Sequence, residues 1–209
     1  KDLTLINSVN AVYQGVSISN GSTSFKKNKE IKIEGKFNSQ FNLNDKKIKK
    51  LFTKSNINFF NKSKISVQGS LLHKFSLQID EKFKLIDYDY KSNGNISDSQ
   101  IILKNPYQSG FIEKKIEKII ISKANLKIDI NEKKKNSFII DGSYNLDDLV
   151  NNKFKIAYNL NRKNSKYLID FNFSKNIFLE LINFKSSDKN KSNIKSEISF
   201  INNNIIFKN

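Results

Sequence analysis

The chain has 209 residues, which is enough for one domain with a substantial core or for two small domains. It carries 37 basic and 20 acidic residues, a net charge of +17, one histidine and no cysteine. The lack of cysteine excludes disulfides and thiol chemistry, and no apolar run approaches the roughly 18 residues of a membrane-spanning helix.

Apolar residues at every second position predict that most of the chain is β-strand, because successive side chains of a strand point to opposite faces of a sheet. The alternation is strictest over Ile31–Leu43 and Ile65–Ile79. Shorter rows precede and follow these two: Leu3, Leu5; Val16, Ile18; Leu126, Ile128, Ile130; and Ile198, Phe200.

The large apolar side chains of the main rows are expected to share one face of the sheet, and they are the candidate lining residues of that face. In chain order they are Ile31, Ile33, Phe37, Phe41, Leu43, Ile65, Val67, Leu71, Phe75, Leu77, Ile79, Phe138, Ile140, Tyr144, Phe154, Ile156, Tyr158, Tyr167, Ile169, Phe171 and Phe173.

Polar segments between the rows predict the turns of a meander of ten to twelve strands. These segments are Lys26–Glu30, Lys91–Asn95, Asn131–Asn136, Asn161–Lys166 and Ser186–Asn193.

Helix signals are few, and they predict one or two short helices. Asn44–Ser55 starts with a possible N-cap asparagine and carries Ile48, Leu51 and Phe52 at helical spacing. Gly110–Lys123 has a helical apolar stripe, although its tail of β-branched residues would equally suit a strand. Asn145–Asn152, which includes two adjacent aspartates, is expected to form a single helical turn.

The fold class that follows is mainly β: a long antiparallel meander forming a curved sheet or β-groove, over residues 1–209 as a single domain. An apolar sheet face must be covered, by a second sheet, by closure into a barrel, or by a ligand in a groove. A membrane barrel fits less well, because phenylalanine occurs in mid-row and tryptophan is absent.

Three glycines interrupt the apolar rows, at Gly35, Gly69 and Gly142. A glycine inside a strand marks a bend, a bulge or a close backbone approach. Two interpretations stay open: the glycines curve the sheet, or they fit beneath a bulky neighbour.

The sequence shows no catalytic signature, so we expect neither an enzyme, nor a metal site, nor a cofactor. His73 is the only histidine, and its place on an apolar row predicts a buried structural histidine or one at the rim of the face, not a catalyst. Asp87 and Asp89 share one side of a strand and could hold a cation, but a solvated polar face is the simpler interpretation. No phosphate loop, nucleophile elbow or zinc spacing occurs.

The excess of lysine has two interpretations. A strongly basic chain can bind phosphates of nucleic acid or anionic lipid. However, Arg162 is the only arginine, and lysine, asparagine, isoleucine and phenylalanine are abundant together, which is typical of an AT-rich genome. The lysines are also spread thinly along the chain. In Lys82–Leu85 and Lys153–Ile156, phenylalanine and lysine would point to opposite faces, which disfavours binding of nucleic acid.

The long amphipathic strands and the short units Ile31–Phe37, Ile65–Leu71 and Phe138–Tyr144 resemble the AsmA-like superfamily of Gram-negative envelope proteins, which includes the AsmA, YhdP and TamB types. Lys64–Asp80 and the strand–turn–strand spacing of Ser17–Phe37 are similar to segments of that superfamily. The resemblance extends over most of the chain as a similar pattern of alternating residues, and no invariant motif supports it.

The resemblance implies a β-groove with an apolar interior that binds or conducts phospholipid acyl chains between the inner and outer membranes. It also implies a periplasmic location and an inner-membrane anchor in a segment outside this sequence. The expected partner is therefore phospholipid or another acyl-chain ligand. A ligand-free structural or adhesive β-sandwich and a basic polyanion-binding module are the alternatives.

Overall fold

The structure is a computed structural model, and it describes residues 2–51, 62–107, 115–133, 136–147, 151–161, 164–173, 178–179, 184–185, 192–201 and 204–208. These residues form β-strands and one short helix, α1 (Asp45–Leu51). The strands are β1 (Asp2–Tyr13), β2 (Val16–Lys27), β3 (Ile31–Leu43), β4 (Ser63–Ile79), β5 (Leu85–Tyr107), β6 (Ile116–Asn131), β7 (Asn136–Leu146), β8 (Asn152–Asn161), β9 (Asn164–Phe173), β10 (Phe178–Leu179), β11 (Phe184–Lys185), β12 (Ser192–Ile201) and β13 (Asn204–Lys208).

Eleven of these strands form one open antiparallel sheet in the order β1-β2-β3-β4-β5-β6-β7-β8-β9-β12-β13, and β10 pairs with β11 separately. Each strand of the sheet therefore lies beside its neighbour in the chain, apart from the step from β9 to β12. The predicted mainly β meander with a short helix is confirmed. The sheet is a single layer, in which the strands make their extensive contacts with sheet neighbours and α1 contacts β3 and β4.

The pairing register brings the apolar rows of successive strands onto one side of the sheet. Ile33 lies opposite Leu77, and Leu77 lies opposite Tyr88. Directly opposite residues of antiparallel strands point to the same face, so these rows coincide. We call this side the apolar face, defined by Ile33, Leu71, Ile140 and Ile169, and the other side the polar face, defined by Lys32, Ser70, Asp141 and Asp170.

Two β-bulges keep the longest strands in phase. In β5 the apolar face changes from even positions such as Ile96 to odd positions such as Ile101, with Asp98 between them at a φ of 43°. In β6 the register shifts between Ile121 and Lys123 and has the same effect. A bulge inserts one residue and so reverses which parity faces the core.

Three expectations about secondary structure are wrong. The predicted turn Lys91–Asn95 lies inside β5, which runs unbroken for 23 residues. The predicted helix Gly110–Lys123 is strand from Ile116 onward, and its residues 110–114 lie outside the described part of the chain. The predicted turn of helix over Asn145–Asn152 is strand at both ends, in β7 and in β8, and its residues 148–150 lie outside the described part of the chain.

The side chain of Asp147 explains that last difference. Its carboxylate accepts hydrogen bonds from the backbone N–H groups of Glu117 and Lys118, at 3.1 and 2.6 Å, and so completes the backbone pairing at the start of β6. Short polar side chains satisfy backbone groups at strand ends as readily as at helix starts. Asp148 lies outside the described residues.

The other local predictions fare better. The predicted turns at Asn131–Asn136 and Asn161–Lys166 fall where β6 gives way to β7 and β8 to β9. The backbone N–H of Lys47 donates to Asn44 Oδ1 at 3.1 Å, which confirms the N-cap of α1. Ile48 is the buried contact of this helix, with 4% exposure. Phe52–Ser55 and 186–191 lie outside the described residues.

The N-terminal row does not belong to the apolar face. Thr4 lies opposite Phe25 and Ile6 opposite Thr23, so Ile6 shares the apolar face. Leu3 and Leu5 consequently point to the polar face, where they are 59% and 61% exposed. Leu3 and Leu5 have odd numbers, like the apolar-face residues of β3. In this part of β1, however, the even-numbered residues lie on the apolar face.

The glycines on the apolar face lie against close neighbours. A Cβ on Gly35 would come 2.5 Å from the ring of Phe75, and one on Gly69 would come 2.6 Å from the ring of Phe41. At Gly94 a Cβ would come 2.0 Å from the backbone oxygen of Ser70. Fitting beneath a bulky neighbour is therefore the better interpretation for Gly35, whereas at Gly69 the closest atom is the backbone oxygen of Asn95, at 2.3 Å.

We predict that Gly94→Ala destabilises the protein more than Gly35→Ala. The alanine methyl at position 94 meets backbone, which cannot move aside, whereas at position 35 it meets the far end of a phenylalanine ring. Overpacking of this kind costs roughly 1–3 kcal/mol. Urea denaturation followed by circular dichroism measures both variants, and equal losses would contradict this account.

Candidate functional site

The structure places every candidate lining residue on the apolar face. The pairings Leu43 with Val67, Ile65 with Ile101 and Ile156 with Ile169 exemplify this alignment. Ile65, Tyr144 and Phe154 are buried, with 5–7% exposure, and the others are half-buried. Half-burial is what a single layer gives, since each side chain is screened by lateral neighbours and not by a layer above it.

The sequence-based set omitted the middle of the face, which β5 and β6 supply. Ile96 and Ala124 lie opposite each other between Gly69 and Gly142, and Leu126 lies beside Ile140. With these residues the face is continuous from β3 to β12. The parity change between Ile121 and Ala124 was the signal that could have revealed them, because a bulge produces such a change.

An aromatic cluster covers the β7–β9 part of the face. The ring of Tyr144 lies 5.7 Å from that of Phe171 and 6.4 Å from that of Phe173, both in edge-to-face geometry. Two strand spacings separate β7 from β9, about 9.6 Å in a flat sheet. The side chains therefore lean together across β8, as they do on the concave side of a curved sheet. We infer that the apolar face is concave here.

Tyr144 completes this cluster with a hydrogen bond. Its hydroxyl donates to the backbone oxygen of Asn172 at 2.9 Å, which satisfies a buried polar group. Burial raises the pKa of Tyr144 to about 12. The tyrosine therefore stays neutral at physiological pH and functions as part of the apolar surface.

A second aromatic cluster lies toward the other end of the same strands. The rings of Tyr158 and Tyr167 are 4.6 Å apart, and Phe200 packs edge-on against Tyr167 at 5.7 Å. Burial, followed by the neighbouring Tyr167, raises the pKa of Tyr158. Aromatic side chains therefore border the aliphatic row of Ile140, Ile156 and Ile169 at both ends.

A polar group of four residues, which we call the His73 notch, interrupts the apolar face on β3–β5. His73 Nε2 lies 2.7 Å from Ser39 Oγ, and His73 Nδ1 lies 2.8 Å from the Tyr90 hydroxyl. The imidazole stacks on Phe37 with centroids 4.3 Å apart. Ser92, directly opposite His73, is the fourth member. The prediction of a buried structural histidine is confirmed, at 7% exposure.

The hydroxyl of Ser92 is the one polar atom of the notch for which the described residues supply no hydrogen-bond partner. The residue is 2% exposed, so this hydroxyl is shielded from solvent. An unpaired buried hydroxyl is unfavourable by about 1–3 kcal/mol. On the far side of Ser92 the face becomes apolar again at Ile128. The notch is therefore confined to three strands.

The polar face carries charge in cross-strand pairs. Asp141, Lys155, Asp170 and Lys195 follow one another on β7, β8, β9 and β12, each directly opposite the next. Opposite charges in such positions attract, while like charges would repel. A shallow depression of about 440 Å³ beside this row is lined by Lys155, Asp170 and Lys195 together with Glu197 and Lys208.

Asp87 and Asp89 belong to this polar face. Lys133 Nζ lies 2.7 Å from Asp87, and its hydrogen bond lowers the pKa of that carboxyl. Asp89 accepts from the side-chain amide of Asn131 at 2.7 Å. The pair is thus used in cross-strand contacts, and within the described residues no group of three acidic, histidine or cysteine side chains is arranged to hold a metal ion.

The two aromatic–lysine segments differ from each other. In Lys153–Ile156, Phe154 is buried on the apolar face and the lysines are exposed on the polar face, as expected. In Lys82–Leu85, Phe83 lies in the turn before β5 with a φ of 59° and 78% exposure. The strand predicted there begins only at Leu85.

No protein-family model matches the chain, and neither a curated protein nor a solved structure shows significant similarity to it. The AsmA-like resemblance therefore stays a prediction. In the described part of the chain, no helix has both the length and the apolar character needed to cross a membrane.

We predict that His73 titrates below the usual histidine value of about 6.5, because burial disfavours the imidazolium and lowers its pKa. The unfolded chain then binds the proton first. Stability is fully present above pH 6.5 and falls as the pH drops through the folded pKa.

His73 is the only histidine, so its imidazole resonances in a ¹³C-resolved NMR titration report this pKa directly. His73→Gln should reduce the loss of stability between pH 7 and pH 5, and Tyr90→Phe keeps the histidine as a control. A midpoint at or above the ordinary histidine value would contradict the buried environment.

Proposed function

We propose that the apolar face binds acyl chains of phospholipid or of a chemically similar lipid. The observation that carries the proposal is the alignment of apolar rows into one continuous face on a single-layer open sheet. Monomeric soluble proteins rarely expose a contiguous apolar patch of more than a few hundred Å². A face that spans β3 to β12 exceeds this, so a cover of matching chemistry is expected.

The half-burial of the lining supports a flexible linear ligand. Each side chain is screened by its neighbours and open from above, as at Leu71, Ile140 and Ile169. An acyl chain lying on these rows would lose contact with water at about 0.8 kcal/mol per buried CH₂. Between β3 and β9 no residue paired on this face carries a fixed charge, and Lys27 lies on it only at the margin, opposite Ile31. The attraction in this region is therefore the hydrophobic effect, with little preference among positions.

The His73 notch makes the β3–β5 part of the apolar face more polar than the rest of the lining. A chain lying along β3 and β4 meets Ser39 and His73 midway. A chain along β8 and β9 instead meets Ile156 and Ile169 midway, with aromatic rings on either side of them. Burying a methylene against a polar group gains less than burying it against an aliphatic one. We therefore assign the strongest binding to the β7–β9 part of the face.

The periplasmic location, the inner-membrane anchor and the movement of lipid between two membranes are parts of the same proposal that rest on the AsmA-like resemblance. The long strands are compatible with them, since β5 with 23 residues would span about 75 Å. Headgroups would remain at the ends of the strands, where turn lysines such as Lys29 and Lys133 lie.

The two alternatives receive less support. A ligand-free sandwich needs a second sheet, and the described strands contribute none beyond the short β10–β11 pair. A polyanion-binding module needs free positive charge, but several polar-face lysines pair with acids, including Lys133 with Asp87 and Lys166 with Glu197 at 2.7 Å each.

We predict that Leu71→Glu weakens lipid binding and that Leu72→Glu does not. The two leucines are adjacent, but Leu71 lies on the apolar face and Leu72 on the polar face, where it is 37% exposed. A carboxylate under an acyl chain would lose its hydration. The free-energy cost of that loss is several times the free energy gained by burying one methylene group of the lipid.

Fluorescence of a polyene fatty acid and mass spectrometry of co-purifying phospholipid measure the binding. Circular dichroism shows whether each variant keeps its strands. Ile169→Ser, which removes apolar area without adding charge, gives a milder loss in a variant expected to fold. A wild-type protein free of lipid, or equal binding by both leucine variants, would refute the proposal.

A further inference from the structure

The outer edge of β1 is long, apolar on both sides and open. No described strand pairs with this edge, so one backbone hydrogen-bonding edge of β1 is unused within the described chain. Leu5 and Val12 project on the polar face with 61% and 77% exposure, and Ile6 and Tyr13 on the apolar face with 45% and 68%. Such an edge is a template for pairing with another strand.

The same edge lacks the usual protection by charge. From Leu3 to Phe25 the sequence contains no lysine, arginine, aspartate or glutamate, in a chain of which 27% of the residues are charged. Proteins usually guard a free edge strand with lysine or proline, and neither occurs in β1. The opposite edge differs, because β13 has only five residues and ends in Lys208.

We propose that β1 pairs antiparallel with β1 of a second copy of this chain, joining two sheets edge to edge. The electrostatic argument selects a second copy at this edge. Two chains of net charge +17 repel, and the uncharged stretch from Leu3 to Phe25 keeps charged groups away from most of the β1 edge. Lys26 and Lys27 lie only at the end of β2, opposite Leu3 and Asp2, and the charged residues of β3 lie about 10 Å from β1, beyond the Debye length of about 8 Å at physiological ionic strength.

The strand is also self-complementary in one register. With Leu5 opposite Val12 of the partner, Thr4 comes opposite Tyr13 and Ile6 opposite Ala11. Each of these pairs joins residues of the same face, because the bulge between Ile6 and Val9 reverses the parity along β1. Apolar thus meets apolar on the polar face, and the apolar faces of the two copies become continuous.

Sedimentation of the purified chain over a roughly hundredfold concentration range tests the proposal. The expected result is a reversible monomer–dimer equilibrium that strengthens with added salt, since salt screens the repulsion between like-charged copies. A chain that stays monomeric throughout, or a dimer that weakens as salt is added, would overturn the proposal.

A pair of matched double variants locates the interface. Leu5→Lys with Val12→Lys adds two charges to the β1 edge and should raise the dissociation constant at least about tenfold. Ile206→Lys with Phe207→Lys adds the same two charges at exposed positions on β13 and should leave it nearly unchanged. Both pairs are exposed in the fold, so circular dichroism should show intact strands. The reverse ranking would overturn the proposal.

Cysteine cross-linking tests the register, because the chain has no cysteine of its own. Leu5→Cys mixed with Val12→Cys should form a disulfide between chains, since opposite Cβ atoms are about 4.5–5.5 Å apart. Leu5→Cys alone should not, because its two copies would be about 24 Å apart. Equal cross-linking in both samples would contradict the antiparallel pairing of β1 with β1.

Discussion

When Ile33 pairs with Leu77 and Leu77 with Tyr88, three apolar side chains from three strands lie side by side. The whole structure depends on repeating that match at every strand. A slip of one residue would move an entire apolar row to the other face. The bulges at Asp98 and beyond Ile121 show how the chain avoids this, because each reverses the parity where the sequence itself changes parity.

That alignment concentrates apolar area on one side without enclosing it. In a two-layer domain the facing layer would bury Leu71 or Ile169 completely, whereas here both remain half-buried. Around Tyr144 and Phe154, where the side chains lean together, lateral packing alone buries large aromatic side chains. Because the sheet is an open single layer, part of its apolar surface stays exposed to water. A ligand or a partner that covers this surface stabilises the folded state.

The sequence predicted β3 and β4 well because their alternation is unbroken over their whole length. It failed at Lys91–Asn95, where a string of turn-forming residues is held in a strand by Leu72 and Lys127 on either side. It failed again at Ile116, where consecutive isoleucines satisfy helix and strand patterns alike. The contacts of His73 with Ser39 and Tyr90 could not be predicted from the sequence, because the pairing register of three strands must be known first.

The charged residues are distributed over the polar face in a regular way, as the apolar residues are over the apolar face. On β7 to β12 the polar face alternates Asp141, Lys155, Asp170 and Lys195 across neighbouring strands, so the excess of lysine is partly neutralised where strands are packed. From Leu3 to Phe25, over most of β1 and β2, the sequence carries no charged residue. Neutralised pairs stabilise strand contacts within the sheet, and an uncharged margin removes the barrier to contacts beyond it. The distribution of lysine therefore separates the part of the sheet that is internally complete from the edge that is open to extension.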